Sequence, residues 1–207
     1  MENTRNAPSH NHYDVIVIGA GASGLYCALT AGRRGRRVLV LDHANKAGKK
    51  ILMSGGGRCN FTNYFVEPEH FIGSNAHFCK SALSRYPSWE FISMVEQHKI
   101  PYHEREHGQL FCDDSAQDIL TMLLDECAAV GVQVKLNTHI EQVKTDENNK
   151  KSRFELITSK SLSKKEKQER KDNGNQSKLP QTSYRCESLV VATGGLSIPT
   201  LGASGFG

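Results

Sequence analysis

A chain of 207 residues with 38% hydrophobic and 23% charged residues is long enough to bury roughly 70% of its unfolded surface in one substantial core. Its formal net charge of +4 gives no nucleic-acid footprint, because residues 160–172 supply +3 from six basic residues against three acids, with no aromatic residue among them. No run reaches the ~18 apolar residues of a membrane span and the polar first twelve residues make no secretory signal, so a cytoplasmic protein with no membrane partner is expected.

Residues 1–12 read as a disordered lead-in. From Tyr13 to Ile18 the chain is an almost unbroken β-branched run, the pattern of a central parallel strand buried on both faces. A glycine-rich turn and a helix over 23–34 follow, stopped by Gly35, and 37–41 forms a second buried strand. Together these make a β-α-β unit of the usual ~30 residues. Beyond a loop rich in Gly and Lys, residues 76–98 are mostly helical with a break at Pro87, and 101–111 suits a small hairpin. Residues 113–130 form a helix that Asp114 or Ser115 can cap. Ile119, Leu120, Leu123, Leu124 and Cys127 are its apolar stripe and Gly131 its stop. The alternating stretch 132–136 is a third strand that continues through Ile140 to Val143, and 154–158 is a further strand. Residues 159–182 are polar and charged without an apolar period, which marks a flexible insertion. A last buried strand over 188–193 runs into a second glycine-rich stretch ending at Gly207. The pattern is that of an α/β, Rossmann-like fold.

Gly19-Ala20-Gly21-Ala22-Ser23-Gly24 fits the G-x-G-x-x-G pattern. Alone it means little, but here a buried strand precedes it, a helix follows it, and Asp42 ends the next strand. Gly19 permits the tight turn, Gly21 lets the backbone approach a pyrophosphate, and Gly24 lets helix and strand pack closely. The helix start offers N–H groups and a positive dipole end to phosphates. Asp42 can accept hydrogen bonds from an adenosine ribose, and its charge opposes a 2′-phosphate. The bland alternatives are a glycine turn in a ligand-free domain and a solvated acid at a strand end.

Dinucleotide units serve NAD and FAD alike, so the next segment carries the choice. Lys49, Lys50 and Arg58 flank Ser54-Gly55-Gly56-Gly57 and Asn60, a composition that suits backbone lying along an extended anion. The cations can neutralise pyrophosphate, and Ser54 and Asn60 can hydrogen-bond ribityl hydroxyls or a flavin edge. A mobile surface loop would use the same residue types. The stretches GKKILMSGGGRCNFTN from Gly48, GQLFC from Gly108 and GGLSIPTLGASGFG from Gly194 resemble the BaiN-like, aminoacetone-oxidase-type family of bacterial NAD(P)/FAD-dependent oxidoreductases. The resemblance covers nearly the whole chain from Tyr13 apart from 159–182. It implies a glutathione-reductase-type FAD-binding fold with a parallel central sheet and a β-meander. Gly19, Gly21, Ala22, Ser23 and Gly24 would then meet the pyrophosphate and Asp42 the ribose. The 48–60 loop would lie toward the flavin, backbone around Ile140 would meet adenine, and Thr193, Gly194 and Gly195 would close over the cofactor. Two departures stand out: such families more often carry Glu at the Asp42 position, and 159–182 lengthens a connection of the meander.

Of the six cysteines (Cys27, Cys59, Cys79, Cys112, Cys127, Cys186), none forms a CxxC pair or a zinc-like spacing, and the histidines are equally scattered, so no metal is expected. Cys59 lacks a partner a few residues away and suits packing better than redox chemistry. Trp89 and Phe91 read as core residues. The chain ends inside a glycine loop, where a doubly wound unit expects a covering helix. The resembling family continues into a substrate domain and a returning FAD segment, so a truncated product is expected. The functional expectation is non-covalent FAD, with hydride exchange to or from a small organic substrate and oxygen or NAD(P)H as partner oxidant or reductant. No acid or base is named for it. The alternative is a catalytically incompetent fragment that at most binds an adenine dinucleotide, and an NAD-dependent dehydrogenase is a third reading that the triple-glycine loop disfavours.

Overall fold

The computed structural model describes residues 11–173 and 177–195. In chain order the elements are β1 (His12–Ile18), α1 (Ala22–Arg33), β2 (Val38–Leu41), α2 (Lys49–Met53), β3 (Asn60–Asn63), α3 (Lys80–Arg85), α4 (Ser88–Gln97) and β4 (Tyr102–Glu104). They continue with β5 (Gln109–Cys112), α5 (Ala116–Ala129), β6 (Gln133–Lys135), β7 (Thr138–Thr145), β8 (Phe154–Lys160), α6 (Lys164–Asp172) and β9 (Gln181–Val191). The chain divides into two compact units. Among the described residues, the first comprises those up to Ala47 and those from Asp125 onward, and the second is Gly48–Leu124.

The first unit is built on a six-stranded sheet of order β6-β2-β1-β9-β8-β7. The first four strands run parallel, and β9, β8 and β7 form an antiparallel meander. This is the expected Rossmann-like α/β architecture with a mostly parallel central sheet. All four residues of β2 are buried, as a strand covered on both faces must be. Ile16, Ile18, Leu39, Leu41 and Leu156 make one core cluster with Tyr13, Tyr184 and Cys186. The polar ends in that cluster are partnered: Tyr13 donates to Gln133 Oε1 at 2.8 Å, and Lys135 Nζ donates to the Tyr184 hydroxyl at 3.0 Å. Gly32 of α1 faces Val130, where a Cβ would come within 2.6 Å of a valine methyl, so the close approach there needs glycine.

Several boundaries differ from those the sequence suggests. β1 starts before Tyr13: His12 opens it, and the Asn11 carbonyl accepts the Arg185 N–H at 2.9 Å, while residues 1–10 of the expected lead-in lie outside the described residues. The last strand is not confined to 188–193 but begins at Gln181, because its polar first half pairs with β8 and its apolar second half with β1. Inside the segment 159–182, residues 164–172 are helical rather than irregular. A capping box explains this without any core. The Ser163 hydroxyl accepts the Glu166 N–H at 3.2 Å, and the Glu166 carboxylate accepts the Ser163 N–H at 2.8 Å.

The second unit contains the three-stranded antiparallel sheet β3-β5-β4 and the helices α2, α3 and α4. The expected hairpin over 101–111 is β4 and β5, and the helical stretch breaks before Pro87 as expected. The Gly- and Lys-rich segment is more ordered than a loop. It forms α2, capped by Gly48 at φ +64° and anchored by buried Ile51, and then β3. Trp89 departs from expectation: it is 61% exposed, because α4 turns Ile92, Met94 and Val95 inward instead.

Candidate dinucleotide site

Unit one brings the Gly19 loop, Asp42 and the end of β9 together. Gly19 donates to the Leu41 carbonyl at 2.8 Å, and Ala192 donates to the Ile18 carbonyl at 2.8 Å. The turn at Gly19 has φ +113°, and a Cβ there would lie 2.4 Å from the Ala192 oxygen. At Gly24 a Cβ would lie 1.9 Å from the Gly19 oxygen. Both glycines are thus required by backbone packing. Gly21 is different: nothing lies within 4 Å of where its Cβ would stand, and its φ of −88° suits any residue. Packing gives no reason for glycine there, and open space in front of a helix start is what a ligand would fill.

Gly21 caps α1, and the first intrahelical bond runs from Leu25 N–H to its carbonyl at 2.9 Å. The N–H groups of Ala22, Ser23 and Gly24 therefore have no intrahelical acceptor. Ala22 and Ser23 are exposed, and no acidic side chain occupies the first turn. This is a helix terminus suited to phosphate. Asp42 is only 15% exposed and ties two backbone segments: Oδ2 accepts the Ala20 N–H at 2.7 Å and Oδ1 accepts the Ala44 N–H at 2.8 Å. The Ala20 amide is therefore spent on Asp42. Each carboxylate oxygen keeps further lone-pair capacity for a ribose hydroxyl.

The start of β7 is bound to the same corner. Asn137 donates to the Ala44 carbonyl and Thr138 to the Asp42 carbonyl, both at 2.9 Å. Ile140 lies just beyond on an edge strand. Its side chain packs against the core cluster, and its backbone is paired with Thr158 beside a register shift. Thr193, Gly194 and Gly195 leave β9 next to Gly19, with Gly194 at φ +79°; the rest of the second glycine-rich stretch lies outside the described residues.

Unit two holds the remaining candidates. Lys49 and Lys50 lie exposed on α2, and Ser54 begins a 3-10 turn, Ser54–Gly57. Gly55, Gly56 and Gly57 take φ values of +57°, +67° and +89°, and Cys59 follows at +50°. Only glycine visits this region without strain over three consecutive residues. Gly55 is also packed, since a Cβ would meet the Phe111 ring at 2.6 Å. Arg58 and Asn60 are exposed, and the Arg58 carbonyl accepts the Cys112 N–H at 2.9 Å. The Ser54 hydroxyl, expected to face a ligand, is hydrogen-bonded to the Cys59 thiol.

The cysteines resemble packing residues. Burial pushes the Cys59 thiol up against the opposing Ser54 bond, and burial followed by the proximity of Cys59 pushes Cys112 up to about 12. Sequence spacing hid this neighbour: Cys59 and Cys112 are 53 positions apart, yet β3 and β5 pair beside them. Among the described residues no group of three His, Cys, Asp or Glu side chains is arranged to hold a metal, and no helix is long and apolar enough to cross a membrane.

Residues 13–207 match the family model described as HI0933-like protein Rossmann domain. The chain belongs to that family. It is 48% identical over 195 residues to the ribosomal RNA dihydrouridine synthase of Escherichia coli K12, covering 94% of this chain and 42% of that protein. It is 28% identical over 131 residues to the 3-dehydro-bile acid delta(4,6)-reductase of Clostridium scindens, covering 62% and 32%. This HI0933-like chain thus spans less than half the length of the curated relatives it matches. Among solved structures, the 3-ketosteroid-delta4-(5alpha)-dehydrogenase of Rhodococcus jostii RHA1 shares its fold, with a TM-score of 0.59 at 14% identity over 93% of this chain and 48% of that one.

Proposed function

We propose that this chain is the FAD-binding portion of a reductase that saturates a carbon–carbon double bond conjugated to a carbonyl, with uridine in ribosomal RNA as its substrate. The observation that carries the cofactor is Gly21, a glycine that packing does not require, at a helix start whose amides are exposed and whose neighbour Asp42 is locked in place. The Gly21, Ala22 and Ser23 amides hold the pyrophosphate, and Asp42 accepts from the adenosine ribose. Ile140 backbone serves the adenine, and Thr193, Gly194 and Gly195 close the near side. Lys49, Lys50, Ser54, Gly55, Gly56, Gly57, Arg58 and Asn60 belong to the second unit, and what supports a cofactor role for them is their chemistry: cations for phosphate, and hydroxyl, amide and backbone groups for a flavin edge. Bound FAD supplies the hydride.

The substrate rests on the relatives. The name of the E. coli protein specifies reduction of a uracil double bond conjugated to a ring carbonyl, and that relative matches 94% of this chain. The second reading is a small organic enone, in line with the BaiN-like, aminoacetone-oxidase-type resemblance and with the 28% identical bile-acid reductase.

The test is spectroscopic. The purified chain should be yellow with one flavin per chain, NAD(P)H should bleach it anaerobically, and ribosomal RNA should restore the colour, with the E. coli relative run alongside. Recolouring by a steroid enone and not by RNA selects the second reading. A colourless chain that takes up no FAD rejects both and leaves the incompetent fragment.

A further inference from the structure

Residues 160–172 carry +3 of the net +4, and most of them form α6, a helix set by its capping box rather than by burial. Its acids are engaged close at hand. Glu166 accepts from Lys160 at 2.7 Å and from the Ser163 N–H at 2.8 Å, Glu169 lies 3.7 Å from Lys165, and Asp172 accepts from Gln168 at 2.7 Å. Arg170 donates to the Ser177 carbonyl, a neutral partner that leaves its charge uncompensated. Lys167 and Lys171 are exposed, and among the described residues no carboxylate pairs with either. They are four positions apart, so they stand on one helix face, beside the stripe of Gln168 and Asp172.

This helix is rooted at the corner that carries the candidate ribose acceptor. Ser161 donates to the Asn137 carbonyl at 2.7 Å, Asn137 donates to the Ala44 carbonyl at 2.9 Å, and Ala44 donates to Asp42 Oδ1 at 2.8 Å. All of these residues and α6 belong to the first unit.

We propose that α6 is a docking helix for the phosphate backbone of RNA, held through Lys167, Arg170 and Lys171. The choice of polyanion rests on the ribosomal RNA reading above. As a stretch of sequence, 160–172 has the composition of a solvated loop; as a helix it gathers uncompensated cations on a folded surface, which is what a polyanion requires. Cations without counter-charges offer a small enone nothing to bind. A strand of RNA extends far beyond its reacting base and carries a phosphate at every nucleotide. Neutralising those phosphates releases counterions, so the contact is favourable and salt-dependent. It positions the strand without reading its sequence. The segment has no aromatic residue, so base stacking is not part of the contact.

The test is the anisotropy of a labelled ribosomal RNA fragment titrated with the FAD-loaded chain at several salt concentrations. Lys167→Gln with Lys171→Gln should weaken binding about ten-fold and flatten the plot of log affinity against log salt by roughly two. Gln and Lys have similar helix propensity, so α6 should persist, and the amide signals of 164–172 check that it does. Lys144→Gln with Lys150→Gln removes the same charge from exposed positions of the first unit outside α6 and should leave affinity and slope unchanged. Both pairs should keep full flavin content and normal bleaching by NADH and by NADPH. In the α6 pair, recolouring by RNA should slow when RNA is limiting and recover when it saturates.

Equal weakening in the two pairs, or an unchanged slope in the α6 pair, would overturn the docking helix. So would loss of bleaching by NADPH alone, which would give the lysines to a 2′-phosphate, or capture by anionic phospholipid vesicles that RNA does not displace. In each case recolouring by saturating RNA leaves the reductase reading standing. An unaltered chain that binds no RNA and is recoloured by a steroid enone overturns the docking helix and selects the second reading. RNA that binds through α6 without recolouring the flavin sinks the RNA reductase reading alone.

Discussion

Asp42 Oδ2 accepts the backbone N–H of Ala20 at 2.7 Å, across 22 positions of sequence, and so the acid at the end of β2 holds the glycine loop. Its other oxygen holds Ala44. Asp42→Ala should therefore cost stability even without FAD, because two part-buried amides lose their acceptor. The expected loss is about 1–3 kcal/mol, read as a lower urea midpoint for the FAD-free chain. Unchanged stability with lowered FAD affinity would confine Asp42 to the ribose.

Two of the loop glycines should separate by kind. Gly24→Ala puts a methyl 1.9 Å from the Gly19 oxygen, a backbone atom, so the loop must shift at a cost of about 1–3 kcal/mol. Gly21→Ala meets nothing within 4 Å and should change stability by less than about 1 kcal/mol, because the entropy removed from the unfolded chain is opposed by the poorer capping of Ala. Under the proposed function it should nonetheless weaken FAD binding ten-fold or more. Denaturant titration of the FAD-free variants and equilibrium binding of FAD separate the two effects. A Gly21→Ala chain that binds FAD at full affinity would remove the observation on which the cofactor assignment rests.

These contrasts also show what the sequence could reveal. The Gly19-to-Asp42 unit is local: a continuous β-branched strand, a glycine turn and a helix need no distant partner to be recognised. Residues 164–172 have no apolar period, and the signal for their helix is the Ser163–Glu166 capping box. Trp89 is exposed although hydrophobic, because hydrophobicity does not say which face of α4 turns inward. The start of β9 at Gln181 depends on pairing with β8, and the approach of His103 Nδ1 to Asp113 Oδ1, 2.6 Å apart, depends on β4–β5 register. Neither is carried by local spacing.

The α6 helix should respond to acid. The Glu166 carboxyl is lowered to about 2, first by the bond from Lys160 and then by the Ser163 backbone and side chain. A lowered value in the folded state means the contribution is complete above the ordinary value of 4.5 and is lost as pH falls toward 2. Amide signals of 164–172 should therefore stay helical at pH 5 and broaden or shift toward coil between about pH 4 and 2. Glu166→Gln should remove this acid dependence and lower the helicity at neutral pH.

The buried thiols predict the opposite end of the pH scale. Burial raises Cys112 to about 12 and Cys127 and Cys186 to about 11, from an ordinary 9.0. The unfolded chain therefore releases these protons first as pH rises, so it binds fewer protons than the folded chain above pH 9 and stability must fall there. The loss begins near pH 9 and continues to about 11 for Cys127 and Cys186 and to about 12 for Cys112, where the folded thiols ionise in turn. Urea midpoints measured from pH 7 to 10.5 should decline over that window. Replacing buried Cys186 by Ala should flatten the decline while lowering the neutral-pH midpoint through the lost packing. Native iodoacetamide labelling at pH 8 provides the independent check, with Cys112, Cys127 and Cys186 modified only after denaturation. Rapid native labelling of Cys112 would contradict its burial between β5 and its surroundings and reopen a redox role for the Cys59 neighbourhood.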